Sequence, residues 1–401
     1  MAKRKFKRSI AIITVVCVAG LIFASCGKED VSQTESVIVL GTHMNADPID
    51  INNNKLIDQT LDKLCRTGGK LSVIISDGSP YLSSSYEIKP PEKGVSEKVV
   101  ERHVTNNKSS LKQAIIKSNP YAKTEETDPI EALKLAGRIL ESSEKGRDKE
   151  LLFVHTGIAT AGMLKDNLTA NAKDIVQYLK DQKVNLSFDG VNAVLTHLGE
   201  VAGKQDELSD SQLGNVEEIY KTILEDNGAK VNINRSVEVS PEEEDIQLPH
   251  VSAVKFPKPQ VADLTKNEKA VLNENELTFY ANKAELIDEA SALSLISPYA
   301  DQIKNNNLNV VVLGLTAKVG SRESSIDLSK KRAEAVARLL EKEGVDNSLI
   351  TSIGGGFDTS FHIKDTDDDG KLILSEATKN RRVILLNGDT EEAKEIVAKH
   401  G

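Results

Sequence analysis

DTDDDGKLILSE (365–376) places five acids in twelve residues, with a glycine at the sixth position. The run fits D-x-[DN]-x-[DN]-G-x5-E, a spacing that wraps oxygen donors around a hard divalent cation. Asp365, Asp367 and Asp369 supply carboxylate oxygens in that pattern. Lys371 gives its backbone carbonyl, Glu376 can bind through both oxygens, and Gly370 permits the sharp turn. The cation that suits these donors is calcium, in a structural role. SEATKNRR after the run reads as an exit helix, and FHIK before it reads as extended, so this is a lone loop without a paired partner. The plainer reading is a solvated acidic insertion in a surface loop.

A second set of candidates follows the apolar strands of the first half. His43 comes after SVIVL, Asp77 after LSVIIS and His155 after ELLFV. Ligands of parallel α/β sheets bind at such strand ends. The three side chains could converge on a soft metal or a small ligand; the alternative is three locally bonded loop residues. No GxxxxGK[ST] or GxGxxG phosphate loop occurs in the chain, and no GxSxG nucleophile elbow.

The N-terminus fixes the compartment. MAKRKFKR has five basic residues and no acid, and the apolar run IAIITVVCVAGLIF follows it. At about 14 residues this run is shorter than the roughly 20 that a helical span needs, and it reads as a secretory leader over 1–25. Phe-Ala-Ser-Cys (23–26) resembles the lipobox of bacterial lipoproteins, which implies lipid on Cys26 as the new N-terminus. Residues 26–35, rich in polar side chains, then form a tether from the membrane. Cys17 leaves with the leader, so Cys65 stands alone, packed in a helix, and no internal disulfide is expected. The formal charge is −10, and loss of five bases makes it more negative still. That argues against nucleic acid as a partner.

About 375 mature residues suit two domains. Residues 36–240 alternate strand and helix: SVIVL, NKLIDQTLDKLC, LSVIIS, PIEALKLAGRIL, ELLFVHT, TANAKDIVQYLKD and VNLSF. Apolar strands without alternation belong to a parallel sheet covered on both faces, an α/β, Rossmann-like class. Asp128, Pro129 and Glu131 carry an N-terminal capping signature for the helix at 129–140. The order of strand ends resembles a von Willebrand factor A (vWA) domain over roughly 35–230. That family holds a metal through Asp-x-Ser-x-Ser, a Thr and an Asp. Here the matching stretches read GTHMN (41–45) and HTG (155–157), so the acids are missing and no such metal is expected. The resemblance then implies a surface for a protein partner.

Four prolines and an acid run in PEEEDIQLPHVSAVKFPKPQ mark a linker, taken as 241–270. Residues 271–391 read as an α+β domain: a strand-like ELTFYANKAELI, the helix DEASALSLISPYADQIK, the strand NVVVLGLT, the helix SSIDLSKKRAEAVARLLEKEGV with Ser324 and Asp327 as its capping pair, then LITSIGGGF and NRRVILL as strands. Residues 392–401 are left as a tail. GLT (314–316), Gly320, LSKKRA (328–333), GGG (354–356) and NRRV (380–383) together resemble the OmpA-like domain shared with Pal and MotB proteins. The resemblance implies binding of the peptidoglycan stem, commonly at diaminopimelate. Arg332 matches the arginine that holds a carboxylate, as a planar guanidinium can with two parallel bonds. Thr316, Asn380 and Arg381 match by motif position. The family's acid fifteen positions before that arginine falls on Ala317. Asp327 or Glu323 could substitute for it, or the fold is kept without the ligand.

The expectation is therefore a non-catalytic, lipid-anchored protein on the extracytoplasmic side of the cell membrane. Its lipid and its OmpA-like domain would tie membrane to peptidoglycan, and its vWA-like domain would meet a protein partner. Calcium is plentiful outside the cell, so a weak site would fill. Two alternatives stand: an adhesion or complex-assembly protein whose OmpA-like domain has lost glycan binding, and a metal-dependent hydrolase at His43, His155 and Asp77.

Overall fold

The computed structural model describes residues 32–235, 246–256, 261–274 and 276–401. The leader, Cys26 and the tether through residue 31 lie outside the described residues, as do 236–245 and 257–260 around and within the linker. Among the described residues no helix is long and apolar enough to cross a membrane.

The first half is built from β1 (Thr34–Leu40), α1 (Lys55–Thr67), β2 (Gly69–Ile75), β3 (Tyr81–Ile88), α2 (Glu97–Lys117), α3 (Pro129–Glu141), β4 (Asp148–Val154), α4 (Ala172–Asp181), β5 (Val191–Thr196), α5 (Asp210–Asp226) and β6 (Lys230–Asn234). The six strands form one sheet in the order β3-β2-β1-β4-β5-β6. All neighbours run parallel except β2 and β3, which are antiparallel. Alternate residues of the central strands feed two cores. Val37, Val39 and Phe153 join the apolar faces of α3, α4 and α5, while Ile38, Leu40 and Leu152 join those of α1 and α2. Burial on both faces is why these strands read as unbroken apolar runs.

Local signals explain most element ends. Asp128 accepts from the Glu131 amide at 3.1 Å at the start of α3. The return half of that capping box is not made. The Asp128 amide donates instead to the Asp77 carbonyl at 3.0 Å, and Glu131 pairs with Lys134. Cys65 is fully buried in α1, where burial pushes its thiol up to about 11. Several features depart from the sequence reading, which ends at VNLSF although α5 and β6 follow. VNLSF is not a strand; Leu186 and Phe188 pack into the core while VNAVLT, directly after, supplies β5 against β4. The edge strand β3 and the helix α2 are both largely polar, so neither carries a strong apolar period.

The second half contains β7 (Ala270–Asn273), α6 (Glu289–Asn306), β8 (Val310–Leu315), α7 (Arg322–Lys342), β9 (Ile350–Gly356), α8 (Leu374–Asn380), β10 (Arg382–Asn387) and α9 (Glu391–His400). Its sheet has the order β7-β10-β8-β9, with β10 antiparallel to both neighbours and β8 parallel to β9. ELTFYANKAELI forms only a single bridge, Phe279 to Leu286, and the strand of that region lies earlier, at β7. Leu277 and Phe279 are spent on the core instead. The cap of α7 is Ser321, which accepts from the Ser324 amide at 3.1 Å. The helix thus starts one turn before the Ser324 and Asp327 reading, and Asp327 pairs with Lys331 on the surface. Gly344 closes this helix with φ 88°. The last ten residues carry α9, which buries Ala393 and Ile396.

Two glycines set how closely α7 lies on its sheet. A Cβ on Gly314 would stand 2.0 Å from the Ser329 carbonyl oxygen, and one on Gly354 would stand 2.4 Å from that of Ile326. Only residues without a Cβ allow such an approach, and it brings Arg332 down onto the end of the sheet. The two halves also meet each other. Leu374 of α8 joins the core under the first sheet, and Ser211 of α5 hydrogen-bonds Thr278 at 2.7 Å.

Candidate functional site

A cleft of about 610 Å³ opens beside the N-terminal half of α7. Thr316, Ala317 and Gly320, in the turn after β8, form one part of its lining. Ser325, Asp327, Lys331 and Arg332 of α7 form another, and Arg381 adds a second cation. Asn171 and Asp174, from the start of α4 in the first half, complete it.

Arg332 is 5 % exposed. Its Nε donates to the Lys283 carbonyl at 3.0 Å, and the guanidinium carbon lies 4.9 Å from the centre of the Phe279 ring. One N–H and one planar face are therefore fixed by the protein, a cation–π contact among them. Burial pulls the Arg332 pKa down; Glu274 opposes this and Arg381 adds to it. Glu274, just past β7, is buried behind the two arginines. Burial pushes its carboxyl up to about 7, against the pull of Arg381 and Arg332. Arg381 links the cluster, with Nη1 3.5 Å from Glu274 Oε2 and Nη2 in close contact with Asp174 Oδ2. Burial raises the Asp174 pKa, while Arg381 and then Arg332 lower it.

The motif residues have separate fates. Thr316 lines the cleft with its hydroxyl buried and without a hydrogen-bond partner. Asn380 does not line it. Fully buried, it accepts from the Ile363 amide at 2.9 Å, donates to the Ile363 carbonyl at 2.7 Å and donates to Asp365 at 3.0 Å. Of the two acids weighed as substitutes at Ala317, Asp327 lines the cleft and Glu323 does not. Sequence reasoning missed Glu274 and Asp174. Neither carries a local signal, since each acquires its role from an arginine remote in sequence.

The acidic run folds as a small closed loop. A bridge joins Thr366 to Leu372, and Asp367 Oδ1 accepts from the amides of Asp369 and Lys371 at 3.0 and 2.8 Å. Asp365 points inward, where its Oδ2 accepts from the Lys318 amide at 2.9 Å as well as from Asn380. It thereby ties the turn that carries Ala317 to the end of α8. Glu376 pairs with Lys379 in α8. The donor chemistry fits calcium, but the carboxylates are not gathered: among the described residues no group of three or more His, Cys, Asp or Glu is placed to hold a metal.

The two candidate histidines, His43 and His155, do meet. Their ring centroids are 5.3 Å apart, and both rings are buried. His155 packs on Gly41, and its Nε2 lies 3.2 Å from Thr127 Oγ1. Asp77 does not join them. Its carboxylate accepts from the amides of Ser79, Lys123 and Thr124, each at 2.9 Å. Packed imidazoles thus fill the crevice between the ends of β1 and β4.

Comparison with known proteins bears on the second half. A model of the OmpA family matches residues 278–371, so this part of the chain is an OmpA-like domain. Among solved structures, the OmpA-like domain of FopA1 from Francisella tularensis subsp. tularensis SCHU S4 is 27% identical, covering 29% of this chain and 69% of that one, with a TM-score of 0.22. An outer membrane protein from Borrelia burgdorferi B31 is 25% identical, over 30% and 87%, with a TM-score of 0.22. The peptidoglycan-associated lipoprotein from Burkholderia pseudomallei is 20% identical, over 31% and 92%, with a TM-score of 0.23. No curated protein matches the chain.

Proposed function

We propose that this OmpA-like domain binds the peptide stem of peptidoglycan, with Arg332 holding a stem carboxylate inside the cleft. The observation that carries the reading is the state of Arg332. It is buried and oriented by Lys283 and Phe279, yet it lines an open cleft. An arginine held this way loses little side-chain freedom on meeting a carboxylate. Thr316 supplies a hydroxyl to the same wall, and Arg381 a second cation. Asn380 serves the pocket from behind by holding the loop at Ile363 and Asp365.

In this reading the protein works in the cell envelope without catalysis. Lipid on Cys26 anchors it to the membrane, the wall engages the other end, and the vWA-like first domain offers its surface to a protein partner. The full chain in detergent should pellet with peptidoglycan sacculi. Arg332→Ala should reduce the pelleted fraction at least tenfold, since a charge-assisted bond is worth about 1.5–3 kcal/mol. Equal pelleting of both forms would refute the assignment. A second reading is an adhesion or assembly protein whose cleft no longer takes glycan. One observation favours it: both arginines already face carboxylates of the chain itself. Failure of the native chain to pellet would put that reading first.

The calcium loop belongs to the same proposal as a structural aid. Asp367, Asp369, the Lys371 carbonyl and Glu376 would hold the ion, and Asp365 would join them only by leaving the Lys318 amide and Asn380. For a millimolar-class site, 10 mM calcium adds about 1.4 kcal/mol of stability. That amounts to a rise in melting temperature of roughly 2 °C. Differential scanning calorimetry in calcium, in magnesium and in chelator checks this. The rise should appear with calcium alone and vanish in Asp367→Asn/Asp369→Asn; identical curves in calcium and chelator would dismiss the ion.

A further inference from the structure

The cleft that holds Arg332 draws its lining from both halves of the chain. Asn171 and Asp174 belong to the first turn of α4, and the remaining residues belong to the OmpA-like domain. Its charges are already matched. Arg332 and Arg381 face Glu274 and Asp174, Lys331 pairs with Asp327 at 2.7 Å, and Lys283 pairs with Glu285 at 3.4 Å. Above pH 7, where Glu274 is ionised, a ligand bearing only a carboxylate would leave one negative charge in excess beside the buried arginines, which is costly. A ligand bearing a carboxylate and an ammonium keeps the balance.

The two carboxylates of the cluster are not equivalent. Glu274 lies behind the arginines, out of the cleft, with its side chain 4% exposed. Asp174 lines the cleft with its side chain 22% exposed. Across the OmpA-like part of the lining, position 317 carries a methyl group and no charge. Asp327, the other acid of the lining, pairs with Lys331, whereas Asp174 acts on Arg332, so an ammonium whose carboxylate lies on Arg332 meets Asp174. Arg381, in contact with Asp174 before the ligand enters, is left to share the incoming carboxylate.

We infer that the first domain is part of the ligand site, with Asp174 of α4 receiving the ammonium of a zwitterionic ligand whose carboxylate lies on Arg332. The inference rests on the wall-binding reading above and adds to it a source of specificity from outside the OmpA-like domain. It also makes the site depend on how the two halves are docked, because α4 belongs to the first.

Two small probes separate the terms: diaminopimelate, and pimelate, the same dicarboxylate chain without its amines. Titration calorimetry on the full chain in detergent should show diaminopimelate bound at least tenfold more tightly. Asp174→Asn should erase that preference by weakening diaminopimelate about tenfold, with pimelate unchanged or tighter. Asp174→Glu should restore part of it, and unchanged melting curves would show that the variants are folded. Arg332→Ala should weaken both probes. If Asp174→Asn keeps the preference, or tightens both probes alike, Asp174 is no ammonium partner and the inference falls while wall binding stands. If the native chain binds neither probe nor sacculi, the wall-binding reading fails and takes this inference with it.

Discussion

Exchanging Arg381 for methionine is expected to cost about 3–5 kcal/mol of stability at pH 8, the range found when one partner of a buried ion pair is removed. Arg381 has a side chain 8% exposed and is the direct ion-pair partner of both Glu274 and Asp174. Methionine fills much of the volume but leaves two carboxylates beside a single cation, Arg332. Burial already raises the pKa of each acid. Without Arg381 both should take up protons more readily, so the cost should shrink by about half at pH 5.5. Urea unfolding of both proteins at the two pH values checks this. A cost below about 1 kcal/mol at pH 8, the size of an exposed pair, would mean that the cluster is wet and weak. Since Asp174 sits on α4, the same variant should loosen the contact between halves, seen as faster amide exchange in α8.

That contact was not legible from the chain alone, and the reason is physical. Each residue of the cluster lies in a stretch with an adequate local explanation. Asp174 reads as an acid in the first turn of a helix, which favours negative charge. Arg381 reads as part of NRRV, and Glu274 as a polar residue at a strand end. The ion pair arises only when two sheets are packed, and no periodicity within either sheet encodes it. Ala317 was different. It occupies a position that a motif defines, so the missing charge could be noticed, although not what stands nearby.

Element identity followed the same division. The first strand, α1, α3 and α7 carry strong apolar periods with capping residues, and each was visible. VNLSF and VNAVLT are near-copies of one pattern, and nothing in either decides which will pair with β4. The acidic run was recognisable as a loop by composition. Its load was not: Asp365 turns inward to hold the turn at Lys318, and Leu374 at its far end packs into the first domain's core. A segment that looks like an insertion thus braces the turn that lines the cleft and joins the seam between halves.

His43 and Glu274 should give this protein two opposite pH dependences of stability. His43 has both ring nitrogens buried without a hydrogen-bond partner, and burial lowers its pKa from 6.5 to about 4. Below pH 6.5 the unfolded chain binds a proton that the folded chain refuses. Stability from this group is therefore complete above pH 6.5 and is lost as pH falls toward 4, by about 3 kcal/mol over that window. His155 acts in the same direction, lowered by burial and then by His43. Glu274 does the reverse. Its pKa is raised from 4.5 to about 7, so the folded chain holds the proton longer than the unfolded one. Its contribution is complete below pH 4.5 and is lost as pH rises toward 7, again by about 3 kcal/mol. In the native chain the Glu274 slope offsets part of the histidine slope between pH 5 and 6.5. Glu274→Gln should uncover the histidine slope, with stability falling steeply on acidification. His43→Leu together with His155→Leu should uncover the other, with stability rising as the pH is lowered from 7 to 5. Urea midpoints taken every half unit of pH decide the matter. Three parallel profiles would mean that neither group titrates from its buried position, and that water reaches the β1 and β4 strand ends and the back of the cleft.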